Sequence, residues 1–448
     1  MSVRRDHPLC ITVVGLGYVG LTTAVGLASL GHDVSGVEVD AARLASLRAG
    51  RVPIHEPGLQ AALEAQHTRL TFTDNLRAAL ERRPHAVMIA VPTPAECGGA
   101  LVERTAADVA SALVADATIV IRSTVPLGTA RRVARIIADA TVRPLPVVVN
   151  PEFLVEGRAY EAFMAPDRIV IGIVGESGGD AGSLMRRLYG GIDAPVVETD
   201  AETAELAKLA ANAFLATQVS FINEVADIAA ASGADIDAVS RILKLDRRVG
   251  PGAYLRAGAG FGGACLPKDL RALIDGAEQL GVDARVARAV ADVNDARAER
   301  TVETLHGALG GLAGRRVGVW GLAFKGGTDD VRESPAVAVV RRLLAEGADV
   351  RAYDPLAEPN AAPLVGGAVL CDGLYTPAED AEALVVLTEC AEFAHADFEM
   401  LRARMRGRVV VDGRGIMPAE MARAAGFDYR TIGEGLVPAP RDKAERQA

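Results

Sequence analysis

Residues 10–38 read CITVVGLGYVGLTTAVGLASLGHDVSGVE, and this stretch decides the fold of the first third of the chain. A β-branched run at 11–14 leads into Gly15-Leu16-Gly17-Tyr18-Val19-Gly20, which opens an alanine-rich helical pattern over 19–30. In such a strand–turn–helix the first glycine permits the tight turn, and the second lets backbone approach a pyrophosphate. The third lets helix and strand pack closely, with the phosphate on the helix N-terminus. At the end of the next strand-like run Glu38 is placed to accept the ribose hydroxyls, with Asp40 as the competing acid two positions on. An acid there repels a 2′-phosphate, so the pattern favours NAD over NADP. The plain alternative is a merely tight turn.

Outward from this motif the alternation continues. Short apolar runs at 34–37, 86–91, 118–121, 147–149 and 169–173 are separated by helical patterns such as 129–138. Continuous apolar strands between helices predict a parallel sheet covered on both faces. Over 203–232 the pattern becomes one long helix, and more helix is expected from 270 to about 305. The opening plan then recurs: VVGLG at 13–17 is echoed by VWGLA at 319–323, HDVSGVEVD at 32–40 by ADVRAYDP at 348–355, and AVMIAV at 86–91 by ALVVLT at 383–388. The expected class is α/β, two Rossmann-like doubly wound parallel-sheet domains joined by a central long-helix domain. The boundaries predicted are 1–200, 201–308 and 309–437, with a frayed proline- and charge-rich tail over 438–448. The apolar stripes of the helical middle exceed what one chain would bury, which predicts a homodimer or higher homo-oligomer through it.

Composition excludes several classes. A chain of 448 residues is too long for one core. No apolar run nears the roughly 20 residues needed to cross a bilayer. The opening MSVRRDHPLCITVV lacks a small-residue cleavage site, so a cytoplasmic protein without signal peptide or membrane partner is expected. Five scattered cysteines, Cys10, Cys97, Cys265, Cys371 and Cys390, with no CxxC pair, argue against a disulfide framework or a zinc site, and no metal is expected. A net charge of −10 with no basic block argues against nucleic acid. Only five of the 48 basic residues are lysine, which makes the few ammonium groups candidates for places where arginine cannot substitute; the alternative is simple compositional drift.

Three further regions carry candidate chemistry. Gly258-Ala-Gly-Phe-Gly-Gly-Ala-Cys265-Leu-Pro-Lys268-Asp269 puts a cysteine in a glycine-rich loop before a helix, a setting that raises thiol nucleophilicity. Pro267 is expected to delay that helix to about Asp269 or Leu270. The alternative leaves Cys265 a small buried hydrophobe and Asp269 an ordinary cap. Lys208 and Asn212, spaced i, i+4, share a face that is otherwise alanine and leucine; the alternative there is a solvated lysine. Asn150-Pro151-Glu152 and Arg122-Ser123-Thr124 follow strands, where ligands of parallel sheets bind. Near the C-terminal lobe's turn, Lys325 and Arg332 suit a phosphate-bearing ligand, and Ser334-Pro335 is a helix start.

Taken together these motifs make the chain similar to the UDP-glucose/GDP-mannose dehydrogenase family over essentially its whole length. The matching segments are GLGYVGL (15–21), PIHEPGL (53–59), VPTP (91–94), RSTVPLGT (122–129), NPEFLVEG (150–157), KLAANAFLATQVSFINE (208–224), GFGGACLPKD (260–269), GLAFKGGTDDVRESP (321–335) and DGR (412–414). The resemblance implies Cys265 as nucleophile, Lys208 and Asn212 as oxyanion stabilisers, and Asp269 as polar support. It also implies Glu152 as acid/base for hydrolysis with Thr124 holding a water. NAD would be bound by Gly15, Gly17, Tyr18, Val19, Gly20, Glu38, Arg43, Thr93, Thr124, Glu156, Lys268 and Arg332. The nucleotide sugar would meet Phe153, Leu154, Lys208, Asn212, Tyr254, Leu255, Arg256, Gly262, Phe324, Lys325 and Arg414, with Arg248 reaching in from a neighbouring subunit.

The reaction so implied is a four-electron oxidation of a nucleotide sugar's C6 alcohol to a carboxylate through a Cys265 thiohemiacetal and thioester, a step that serves polysaccharide biosynthesis. LDRRVGPGAYL (245–255) and APDRIVIG (165–172) look more like UDP-glucose enzymes, while CLPKDLRAL (265–273) suits GDP-mannose enzymes too. A β-hydroxyacid-type dehydrogenase needs neither the cysteine nor a second α/β lobe. A non-catalytic NAD-binding protein needs none of Cys265, Lys208, Glu152 and Asp269.

Overall fold

The computed structural model describes residues 7–94, 97–175 and 180–433; the expectation of a frayed tail over 438–448 lies outside the described residues. Two compact units divide the chain, Met1–Ala211 with Arg271–Val282, and Asn212–Leu270 with Asp283–Ala448.

The first unit is built on eight strands: β1 (Cys10–Val14), β2 (Asp33–Val37), β3 (Leu70–Thr73), β4 (Ala86–Ile89), β5 (Thr118–Ile121), β6 (Val147–Val149), β7 (Ile169–Ile173) and β8 (Val196–Asp200), hydrogen-bonded in the order 3-2-1-4-5-6-7-8. Successive strand residues feed opposite cores. Ile11, Val13, Met88 and Val120 enter one apolar cluster, while Val14, Val87, Ile89, Ile119 and Ile121 enter another. That alternation is what helices on both faces of a sheet require. Gly172 in β7 lets the start of the long helix (Ala201–Ser232) lie close, since an added Cβ would overlap the Ala204 side chain.

Two features depart from the sequence reading. The sheet is not wholly parallel: β6 and β7 run antiparallel, pairing Val148 with Ile173 and Val149 with Gly172. An apolar run announces a buried strand but carries no information about its direction. The strands β3 and β8 went unread because they are the sheet's edges, and Val196 and Val197 are exposed.

The second unit repeats the plan with β9 (Arg316–Trp320), β10 (Asp349–Tyr353), β11 (Val369–Leu370), β12 (Ala383–Val386), β13 (Val409–Asp412) and β14 (Asp428–Thr431). Their order, 11-10-9-12-13-14, is all parallel and matches the 3-2-1-4-5-6 part of the first sheet. Both lobes are therefore doubly wound, as expected. Trp320 is fully buried, stacks on Phe393 at 5.3 Å between centroids, and donates its N–H to Leu374 O at 2.7 Å.

In chain order, between β8 and β9, come the helices Ala201–Ser232, Ile236–Leu245, Leu266–Gln279, Arg285–Asp295 and Arg297–Leu309. The helix expected to begin near Asp269 begins at Leu266 instead. Asp269 N–H donates to Cys265 O at 2.9 Å, so the first helical bond closes on the cysteine itself. Pro267 falls in the first turn, where its missing N–H has no intrahelical acceptor to lose. Among the described residues no helix is long and apolar enough to cross a membrane.

Candidate active site

The three glycines of the first turn do three different jobs. Gly15 has φ +89°, and a Cβ there would lie 2.8 Å from Ala90 O. A Cβ on Gly20 would overlap Gly15 O, so that position fixes helix against strand. Gly17 has φ −68° and nothing within 4 Å of where its Cβ would be. This open side, at the start of the helix Tyr18–Ser29, is a cradle that fits a pyrophosphate. Glu38, just past β2, is 4% exposed and accepts from Leu16 N–H at 3.1 Å, which places its carboxylate beside that loop. Arg43 pairs with it at 3.1 Å. Asp40 caps the helix Ala41–Arg48 through Arg43 N–H at 2.8 Å, so it has its own structural task. The Tyr18 hydroxyl accepts from Gly157 N–H at 2.7 Å, next to Glu156, and Thr93 follows the end of β4, half-buried.

At the carboxyl ends of β5 and β6, Thr124 and the 150–157 loop lie where expected. Arg122, buried and not singled out from sequence, pins that loop: it donates to Asn150 O at 3.1 Å, Asn150 Oδ1 at 3.0 Å and Pro151 O at 3.1 Å. Glu56 of PIHEPGL, also missed, fastens the loop's far end by accepting from Gly157 N–H at 3.0 Å and Ala159 N–H at 2.5 Å. Both residues stand inside motifs quoted above, and only the chemistry of a buried charge near a functional loop could have flagged them.

Glu152 thus held accepts from Leu154 N–H at 2.6 Å and pairs with Lys208 at 3.1 Å. Burial pushes its carboxyl up, but Lys208, the Leu154 N–H and Arg122 outweigh it and hold the group below the ordinary carboxylate range. Glu152 is therefore ionised near neutrality, the form that can take a proton, while the same lowering weakens it as a base. Lys208 is 4% exposed, its ammonium 5.3 Å from the Phe153 ring centroid, which removes the solvated-lysine alternative. Arg168 covers the same ring at 3.7 Å, and Leu154 beside it is half-buried.

In the second unit Cys265 is exposed and in no disulfide, whereas Cys371 is buried. The reading of Cys265 as a small buried hydrophobe therefore fails. Asp269, 1% exposed, takes Asn212 Nδ2 and Lys268 Nζ, both at 2.5 Å. Asn294 holds the approaching loop in both senses, accepting from Phe261 N–H at 2.8 Å and donating to Phe261 O at 3.1 Å. Gly263 N–H donates to Arg332 O at 2.9 Å, and a Cβ on Gly262 would overlap Glu333 O. The cysteine loop thus packs on the 321–335 loop, where Glu333 itself takes φ +50°.

Arg414 ties the two together, donating to Leu387 O at 2.8 Å, Gly260 O at 3.3 Å and Phe324 O at 3.0 Å. Lys325 lies 5.6 Å from the Phe324 ring centroid, and the Arg332 guanidinium rests on Asp330 at 2.5 Å. Ser334 caps its helix through Ala336 N–H, as its sequence signal promised. Tyr254 is exposed, Leu255 buried, and Arg256 donates to Gly415 O at 2.8 Å. Arg248 is exposed and paired with Asp246 at 2.6 Å. The first unit therefore gathers Gly15 to Gly20, Glu38, Arg43, Thr93, Thr124, Glu152 to Glu156 and Lys208, and the second gathers Asn212, Arg248 to Asp269, Phe324 to Arg332 and Arg414.

Three family models match the chain in order: the NAD binding domain of the UDP-glucose/GDP-mannose dehydrogenase family over residues 9–193, its central domain over 202–296, and its UDP binding domain over 318–419. A UDP-glucose 6-dehydrogenase of Pseudomonas aeruginosa is 43% identical, across 94% of this chain and 97% of its own. One from Rhizobium meliloti is 41% identical, across 94% and 99%. Among solved structures, a UDP-glucose dehydrogenase from Pyrobaculum islandicum superposes with a TM-score of 0.89 at 40% identity, covering 97% of this chain and 99% of that one.

Proposed function

This chain belongs to the UDP-glucose/GDP-mannose dehydrogenase family, and from that premise we propose that it oxidises the C6 alcohol of UDP-glucose to the carboxylate of UDP-glucuronate. NAD, when bound, accepts the hydride of each of the two oxidations. Lys208 and Asn212 stabilise the oxygen at C6 as negative charge develops on it. The Cys265 sulfur adds to the C6 aldehyde, and the thiohemiacetal so formed is oxidised to a thioester. Water's oxygen then bonds the carbonyl carbon, the C–S bond breaks and sulfur leaves as thiolate. Glu152 takes one proton of that water, and the new carboxylic acid gives up the other to solvent. Holding the aldehyde on sulfur lets both oxidations proceed without its release.

The observation that carries this reading is the placement of Cys265. It is exposed, it closes the first turn of the helix Leu266–Gln279, and the buried Asp269 one turn on gathers Asn212 and Lys268. Domains at 1–200, 201–308 and 309–437 are part of the same proposal, as is a homodimer through the central helix. Supporting the latter, Phe214, Phe221 and Ile228 are exposed on the long helix at seven-residue spacing. The test is NADH release with UDP-glucose, GDP-mannose and UDP-N-acetylglucosamine supplied separately. Two NADH per UDP-glucose, abolished in Cys265→Ser, is the expected result; a single NADH, or turnover of another sugar alone, overturns it.

A further inference from the structure

Glu205 is a buried carboxylate that this reaction leaves without a task. It stands on the long helix three residues before Lys208 and is 2% exposed. Its two oxygens take Gly128 N–H at 2.6 Å and Ala130 N–H at 2.7 Å. Those donors lie where the loop after β5 becomes the helix Thr129–Ala140, whose own N-cap, Gly128, has φ +78° and no side chain to offer. The Thr129 hydroxyl is turned back onto Pro126 O at 2.6 Å. The orphan N–H groups of this helix start are thus satisfied from another helix rather than locally.

That choice is costly, because burial and Glu202 push the Glu205 carboxyl up even against the two N–H bonds and Arg132 that hold it down. A serine or aspartate at the cap position would satisfy an N–H without burying an acid. What a local cap would not do is join the two elements. The loop fastened in this way spans Ser123 to Gly128 and includes Thr124. Its near end is fixed by the Ser123 hydroxyl donating to Val91 O at 2.7 Å.

We propose that Glu205 is a positioning residue for the hydrolytic half of the reaction: it clamps the Thr124 loop to the helix that carries Lys208, fixing where the attacking water is held. The inference rests on the reaction proposed above. Glu205→Gln keeps one acceptor oxygen and turns an amide N–H₂ toward the second backbone donor, loosening the clamp without changing its size.

Three measurements test it on the full-length enzyme. Steady-state kcat with UDP-glucose falls about tenfold, the worth of one charge-assisted hydrogen bond, and KM falls with it so that kcat/KM is unchanged, because only a step after substrate capture is slowed. In a single turnover both NADH still form at the wild-type rate, and intact-mass spectrometry shows the sugar nucleotide accumulating on Cys265. Hydrogen exchange across 122–131 quickens. A variant that melts lower but keeps wild-type kcat shows a purely structural cap and overturns the role. So does an equal slowing of the hydride steps. Unchanged exchange in an active enzyme overturns the clamp alone, whereas a wild-type enzyme that releases no NADH overturns the reaction and this role with it.

Discussion

Replacing Gly17 by alanine separates the cofactor cradle from the fold that builds it. Gly17 has φ −68° and ψ −163°, backbone that any residue adopts, and no atom lies within 4 Å of its missing Cβ. Two small effects on stability then oppose each other. Alanine is a poorer N-cap than glycine by something below about 1 kcal/mol, and it stabilises by about 0.4–1 kcal/mol through the unfolded chain. The apo protein should therefore melt within about 2 °C of wild type. The methyl nonetheless stands in the open side where the pyrophosphate must approach backbone N–H groups. Losing one such charge-assisted bond is worth about 1.5–3 kcal/mol, which is roughly 10- to 150-fold in NAD affinity. Calorimetric titration with NAD beside a melting curve reads both quantities. At Gly15 and Gly20, where an added Cβ meets Ala90 O and Gly15 O, the same substitution should lower the melting temperature. Unchanged NAD affinity in Gly17→Ala, or an apo protein destabilised as much as Gly20→Ala, would refute the reasoning.

Two other outcomes follow from the geometry. Gly262→Ala drives a methyl into Glu333 O and toward Pro335 Cδ at 2.8 Å; overpacking of this kind costs about 1–3 kcal/mol, and a shift of the cysteine loop by about 1 Å should lower kcat roughly 100-fold. Peptide-level alkylation of Cys265 by iodoacetamide should change in the same variant, and a wild-type rate in both assays would sink the idea. Glu152, whose carboxyl is held below its ordinary value mainly by Lys208 against burial, contributes stability that is present above the ordinary glutamate value of about 4.3. That contribution is lost as pH falls from there through the lowered value. Melting temperature should drop more steeply with acid in wild type than in a Glu152→Leu/Lys208→Met double variant; parallel slopes would show that the pair is not the titrating element.

Periodicity made the sheets legible at strands buried on both faces such as Ile119 to Ile121 or Ala383 to Val386, though the equally buried Val409–Asp412 was not among those read. It failed at Leu70–Thr73 and Val196–Asp200, because an edge strand has half its neighbours missing and no reason to be uniformly apolar. The site was legible where chemistry is rare: a cysteine after four glycines, and one of five lysines on an alanine face. What stayed hidden was the scaffolding. Arg122, Glu56 and Asn294 act through backbone carbonyls and N–H groups, and a residue that recognises backbone leaves no partner residue type in the sequence to pair it with. The early start of the Cys265 helix was missed for a related reason. The bias against helix before proline argues for a late start, while the tolerance of proline inside a first turn decides the outcome.

The two lobes share a strand order but differ where a ligand would touch them, and the difference is physical. Gly15 and Gly321 both take left-handed φ, +89° and +92°, and in both lobes an acid past the second strand accepts an N–H of the turn that follows. In the first lobe Glu38 takes one turn N–H, from Leu16, and the position after it is the open Gly17. In the second, Asp354 takes Leu322 N–H at 2.7 Å and Ala323 N–H at 3.0 Å, and also those of Leu356 and Ala357 at 3.0 and 2.8 Å. Four donors use up its accepting oxygens, and Ala323, 1% exposed, fills the place of Gly17 with a methyl. The helix that begins at Tyr18 in the first lobe begins only at Pro335 in the second. That later helix still starts beside the turn, since its N-cap Ser334 donates its hydroxyl to Leu322 O at 2.7 Å. In the reaction proposed above, the second lobe meets its ligand with the 321–334 loop and its Lys325, where the first lobe offers an open glycine at a helix start. That is the distinction expected between a site that grips NAD and one that grips the nucleotide of a sugar substrate.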